Sequence, residues 1–124
     1  MFKNLPSSAI VAVSDLDRAR AFYAETLGLE STGDDEELLS FRTGSTRLIV
    51  YRSDGAGTNQ ANAVVWGAGQ DFDAVIGELR SNGVTLEEYP DMGMQVAAGI
   101  HSTGEFKAAW FKDPDGNILH VNNM

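Results

Sequence analysis

Apolar and polar positions follow two periods along this chain. Ala9-Ile10-Val11-Ala12-Val13 is a short run rich in β-branched residues, the pattern of a buried strand. Ser14-Asp15 then offers an N-cap. Leu16, Ala19, Phe22, Tyr23 and Leu27 follow at helical spacing, and Gly28 stops the helix they predict. Leu38 to Arg42 and Thr46 to Tyr51 read as two strands joined by Thr43-Gly44-Ser45, with a further short strand over Glu30 to Gly33. The same order then restarts. Asn62 to Trp66 reads as a strand. Asp71 is expected to cap a helix with Phe72, Val75, Ile76 and Leu79 on its apolar face, Gly83 to end it, and Val84-Thr85-Leu86 to begin the next strand. Glu105 to Phe111 and Ile118 to Asn122 form the last hairpin.

Both halves therefore read β-α-β-β-β, an α+β pattern written twice. The modules span about residues 5–53 and 61–124 of a single domain, and Ser53 to Gln60, with Gly55, Gly57 and Asn59, is the polar linker between them. The last hairpin carries the densest local signal. In Asp113-Pro114-Asp115-Gly116-Asn117 the proline presets φ at the first corner, Gly and Asn tolerate positive φ, and aspartate side chains hold nearby N–H groups. His120 projects from the strand just beyond this turn.

Composition narrows the chemistry. With 124 residues, 43% of them hydrophobic, one domain with a real core is expected. The absence of cysteine removes disulfides, thiol catalysis and zinc–thiolate sites. A formal net charge of −9 argues against nucleic acid, which demands clustered Lys and Arg. No apolar run is long enough to cross a membrane, and Met-Phe-Lys-Asn-Leu-Pro is no secretory signal, so a cytoplasmic location is expected. The acid run Asp34-Asp35-Glu36-Glu37 is either a solvated turn or an acidic rim that draws in a cation. His101, in Gly99-Ile100-His101-Ser102-Thr103-Gly104, reads as a solvated loop residue. Pro90-Asp91-Met92-Gly93-Met94-Gln95 reads equally as a mobile lid or a plain connection.

Val13-Ser14-Asp15-Leu16-Asp17-Arg18-Ala19-Arg20-Ala21-Phe22-Tyr23, then Leu27-Gly28-Leu29, resembles the opening of the vicinal oxygen chelate superfamily, which holds glyoxalase I, extradiol dioxygenases, fosfomycin-resistance enzymes and bleomycin-resistance proteins. The Asp113 to Asn117 turn and the strand after it resemble its closing motif. The resemblance implies two βαβββ modules whose mixed sheets curve around a cavity, and pairing as a homodimer. In the superfamily's metal-dependent members four strands each supply one ligand. Carried over, the first position is Ser8, the second falls near Ile49 or Val50, the third near Val64, and the fourth is His120. Only the last can ligate, and a catalytic divalent ion needs about three protein ligands. No metal or other cofactor is therefore expected. The closing motif is closest to the bleomycin-resistance branch, whose members bind a cationic glycopeptide without transforming it.

The expected function is metal-free binding of a small molecule, cationic or aromatic, with antibiotic sequestration as one form. Candidate ligand-binding residues are Tyr51, Trp66, Trp110, His120, Asn122, Met92 and Met94, with Phe41 and Tyr89 as further rings near the opening. Alternation along the strands places Trp66 with Val64 on the ligand face, and Ile118 and Asn122 with His120. The alternative is an enzyme of lyase, isomerase or dioxygenase type, with His120 as catalytic acid or base or as part of an unrecognised metal site.

Overall fold

The computed structural model describes residues 1–124. The chain forms two compact units, Met1–Thr58 and Asn59–Met124. The first contains β1 (Ala9–Val13), α1 (Leu16–Arg20), β2 (Glu30–Asp34), β3 (Leu38–Thr43) and β4 (Thr46–Arg52). Its four-stranded sheet has the order β1-β4-β3-β2, with β1 parallel to β4 and the other pairings antiparallel. Asp15 caps α1 as expected, its carboxylate accepting from the Arg18 N–H at 3.0 Å. The helical path then widens into a π-helical segment over Ala21–Thr26, a change of hydrogen-bond register that the side-chain spacing does not announce. Alternation along the strands sends Val11, Val13, Leu39, Phe41, Leu48 and Val50 into the core beside Tyr23 and Ala19. Phe41 is therefore a core ring, 6.1 Å from Tyr23, and does not face an opening.

The second unit contains β5 (Asn62–Gly67), α2 (Phe72–Ser81), β6 (Gln95–Ala97), β7 (Ile100–Thr103), β8 (Phe106–Lys112) and β9 (Ile118–Asn122). Its sheet has the order β5-β9-β8-β7-β6, with β5 parallel to β9. The α+β class and the paired strand–helix–strand order follow the sequence pattern, with differences in detail. Asp71 precedes α2 but makes no side-chain cap bond, because a short 3₁₀ turn over Gly69–Asp71 leads directly into the helix. Val84-Thr85-Leu86 is not a strand. The chain from Val84 to Met94 is a strap whose one β-bridge to the sheet is Glu87–Trp110. The strand expected there forms later as β6, and β7 adds a further one.

The Asp113 turn fixes the register of β8 against β9. One Asp113 carboxylate oxygen accepts the N–H groups of Asp115 (3.0 Å) and Asn117 (2.9 Å), and the other accepts the Asn117 side-chain amide at 2.8 Å. Gly116 takes the left-handed corner at φ +89°. The register that results pairs Ala109 with Val121, Trp110 with His120, and Phe111 with Leu119. Ala109, Phe111, Leu119 and Val121 are buried on one face, and Trp110 and His120 stand on the other.

Replacing Asp113 with Ala removes the carboxylate acceptor of the buried Asn117 N–H and the part-buried Asp115 N–H. It is expected to cost about 2–4 kcal/mol of unfolding free energy. Gly99, at φ +81°, has no room for a side chain, since an added Cβ would lie 2.5 Å from the Leu86 Cβ. Left-handed strain of about 1–2 kcal/mol and overpacking of about 1–3 kcal/mol put Gly99→Ala in the same range as Asp113→Ala. Urea denaturation of both variants checks these values.

Candidate functional site

The open face of the second sheet gathers a linked set of rings and amides. Trp110 stacks on His120, its cross-strand partner, with centroids 4.5 Å apart and planes at 26°. His101 meets the Trp110 ring edge-on at 4.8 Å, and Tyr89 does so at 5.6 Å. Asn62, at the start of β5, fixes the indole by accepting its Nε1–H at 3.1 Å. Trp110 is 6% exposed and His120 8%.

The hydrogen bonds determine the tautomer of each imidazole. Asn122 Oδ1 accepts the Met124 N–H at 3.1 Å, so the Asn122 Nδ2 faces His120 Nε2 at 3.2 Å and must donate to it. His120 then carries its proton on Nδ1, which meets the Ala109 carbonyl at 3.2 Å. His101 repeats the pattern. Its Nε2 accepts the Tyr89 N–H at 2.9 Å and its Nδ1 donates to the Gly99 carbonyl at 3.2 Å. His101 is completely buried within β7, so it is not the solvated loop residue that its glycine-flanked sequence predicts. Burial pushes the His120 pKa below its ordinary 6.5, and nearby His101 adds to this; together they outweigh the hydrogen bond to Ala109, which acts the other way.

The sequence-predicted residues divide. Trp110, His120 and Asn122 come together as one hydrogen-bonded and stacked group. Trp66 does not join them. The parallel register pairs Trp66 with Val121 and Val64 with Leu119, on the core face, and sets Val65 beside His120. Trp66 and Val64 share a face, as strand alternation predicts, but it is the core face: Val65, 61% exposed, is the open-face neighbour. Tyr51 lies on β4 of the first unit, partly exposed. Met92 and Met94 belong to the strap, Met92 in a 3₁₀ turn and half-exposed, with Gly93 in a left-handed conformation between them. Tyr89, a candidate ring from the sequence, joins the group on the edge of Trp110, and Asn62 and His101 complete it. No spacing rule finds Asn62 and His101, because they reach Trp110 from two separate strands.

The donor set around His120 does not fit a divalent ion. Its strand neighbours on this face are Trp110 and Val65, both of its ring nitrogens are engaged by protein groups, and no three His, Asp or Glu side chains of the chain converge.

The acid run has a different fate in the first unit. Arg20 bridges Asp17 (2.8 Å) and Asp34 (3.1 Å), and Arg52 pairs with Glu37 at 2.6 Å. Arg52 lowers the Glu37 pKa, and Asp17 and Asp34 raise that of Arg20. Two of the four acids thus carry an arginine partner. A shallow open groove here is lined by Asp15, Asp17, Asp35 and Glu36 together with the two arginines.

A family model described as the Glyoxalase/Bleomycin resistance protein/Dioxygenase superfamily matches residues 6–121, and the chain belongs to that superfamily. Solved structures agree on the fold. A lactoylglutathione lyase from Agrobacterium tumefaciens is 18% identical, with 96% of this chain and 92% of that chain covered and a TM-score of 0.73. A glyoxalase family protein from Enterococcus faecalis is 22% identical over 98% of this chain and 99% of its own, at a TM-score of 0.72. The fosfomycin resistance protein FosX from Mesorhizobium loti is 13% identical over 100% and 94%, at a TM-score of 0.71. Identities this low carry the fold alone.

A histidine whose pKa is lower folded than unfolded takes up protons on unfolding. Its contribution to stability is complete above the unfolded value near 6.5 and is lost as pH falls from there toward the folded value. Stability measured from pH 8 down to 5 should therefore decline below about pH 6.5, and His120→Gln should flatten part of that decline. An unchanged slope in the variant would remove His120 as its source.

Proposed function

We propose that this chain binds a small molecule on the open face of its second sheet without a metal, with sequestration of a cationic or aromatic compound as the form that best suits the site. The observation that carries this reading is the commitment of both His120 ring nitrogens to Ala109 and Asn122, in a ring stacked on Trp110. An imidazole held in this way is a neutral, oriented platform. A metal could reach Nε2 only by displacing the Asn122 amide.

The neighbouring surface suits an aromatic ligand. Tyr89 and the edge of Trp110 provide ring surface, the Val65 and Ile118 side chains add apolar area, and Asn62 and Asn122 are fixed amides. A stacked ring pair contributes about 0.5–1.5 kcal/mol beyond area burial, and a cation over an indole about 0.5–2 kcal/mol. The net charge of −9 favours a cationic ligand at low salt. Superfamily membership is compatible with binding and with catalysis alike, since one fold hosts many chemistries.

One feature favours a catalytic reading as the alternative. A neutral histidine with its Nδ1–H on a backbone carbonyl is ready to accept a proton at Nε2 once the Asn122 amide swings aside.

The test is titration of the chelator-treated protein with bleomycin-type glycopeptides and a panel of cationic aromatic compounds, followed by calorimetry and by product analysis. Micromolar binding that is insensitive to chelator, and about tenfold weaker in Trp110→Leu, is expected. Silence across the panel at high micromolar concentration contradicts the proposal. Turnover that vanishes in His120→Gln while binding persists assigns the enzymatic role instead.

A further inference from the structure

The strap from Val84 to Met94 is fastened to the sheet at three successive residues. The Glu87 N–H donates to the Trp110 carbonyl at 2.7 Å. The Glu88 carboxylate accepts the Gly99 N–H at 2.9 Å. The Tyr89 N–H donates to His101 Nε2 at 2.9 Å, and the Tyr89 ring then lies against the edge of Trp110. The turn that receives the strap is built tightly. Ala98 is left-handed at φ +51°, Gly99 backs onto Leu86, and Arg80 donates to the Ala98 carbonyl.

Of the three fastenings, only the one at Tyr89 reverses its polarity on protonation. A carboxyl group still accepts through its carbonyl oxygen when it is neutral, and the Glu87 bond joins two backbone groups. An imidazole protonated at Nε2 presents N–H to N–H, and the Tyr89 bond cannot persist.

We propose that His101 is an acid-released latch, which holds Tyr89 against Trp110 when neutral and frees the strap, with Gly93 as a hinge, when protonated. The inference rests on the binding reading for its purpose, since release uncovers the Trp110 edge on which a ligand would pack, but not for its mechanism. The charged and titratable groups that face His101 are few. The strap contributes Tyr89 itself and Glu88, the latter through the shared Gly99 turn. Arg80 reaches the same turn from α2, and His120 acts from β9 across Trp110. β6 contributes only Gln95, Val96 and Ala97, which carry no charge. No carboxylate bonds to the ring, so the charged form has no built-in partner and the strap must yield to admit water.

The experiment is amide hydrogen exchange by nuclear magnetic resonance on the ligand-free protein between pH 8 and 5, with the His101 ring nitrogens followed in the same samples. Protection at Tyr89, corrected for intrinsic exchange, should fall in step with His101 protonation observed in the same samples. The Ala109, Leu119 and Val121 amides should keep their protection. Glu88→Gln should respond as the parent does. His101→Gln, whose amide oxygen accepts from Tyr89 at every pH, should not respond. Tyr89 protection that stays flat while His101 titrates overturns the proposal, as does protection lost only together with the β8 and β9 amides. Ligand titration at each pH separates the two ideas: a strap that opens in a protein that binds nothing defeats the binding reading and leaves the latch standing.

Discussion

The stacking of Trp110 on His120 is the contact on which the site depends. It exists because β8 and β9 are held in one register, and any slip would send one of the rings into the core face. The Asp113 turn supplies that register from one end of the hairpin. From the other end, Lys107 and Asn123 exchange backbone and side-chain hydrogen bonds. Every buried side-chain nitrogen and oxygen finds a partner, so the polar group beneath the open face is complete and not a loosely filled gap.

Within that frame the two histidines are used in the same way. Each carries its proton on Nδ1, gives it to a backbone carbonyl, and accepts at Nε2 from an N–H group. The difference lies in what the donor belongs to. At His120 it is a neighbouring side chain on the same strand, which makes the ring a fixed wall. At His101 it is the backbone of a strap, which makes the ring a fastening. Burial disfavours the charged form of His120 and favours the neutral wall.

Much of this architecture was legible in the sequence, for identifiable reasons. Period-two and period-3.6 patterning located β1, α1, β3, β4, β5, α2, β8 and β9, and the turn chemistry of Asp113 to Asn117 located the hairpin. Two long stretches resisted. Val84 to Leu86 looks like a strand because its residues have strand propensity, but no β-ladder forms there and the sole β-bridge nearby is Glu87–Trp110. Residues 95 to 103 hide two strands among glycines and polar residues, and their pairing depends on an Ala98–Gly99 turn with left-handed dihedrals that propensity does not reveal. The misplacement of His101 follows from this, since a glycine-flanked histidine looks solvated unless the strand is seen. The error at Trp66 has another origin. Alternation gives the relative facing of Val64 and Trp66 correctly, but only the register against β9, which includes an irregularity between Asn62 and Val64, says which face is which. His120 and Asn122 were legible together because they are two apart on a regular strand beside a strong turn.

His120 is a neutral imidazole with both nitrogens engaged by the protein. Long-range proton–nitrogen correlation spectra of the imidazole rings at neutral pH, recorded before and after one equivalent of zinc or manganese, test it most directly. The expected result is a proton on Nδ1, an unprotonated Nε2 in hydrogen-bonded form, and no change at His120 on adding the metal. A proton on Nε2, a doubly protonated ring at neutral pH, or stoichiometric displacement of the Nε2 signal by the metal would contradict it.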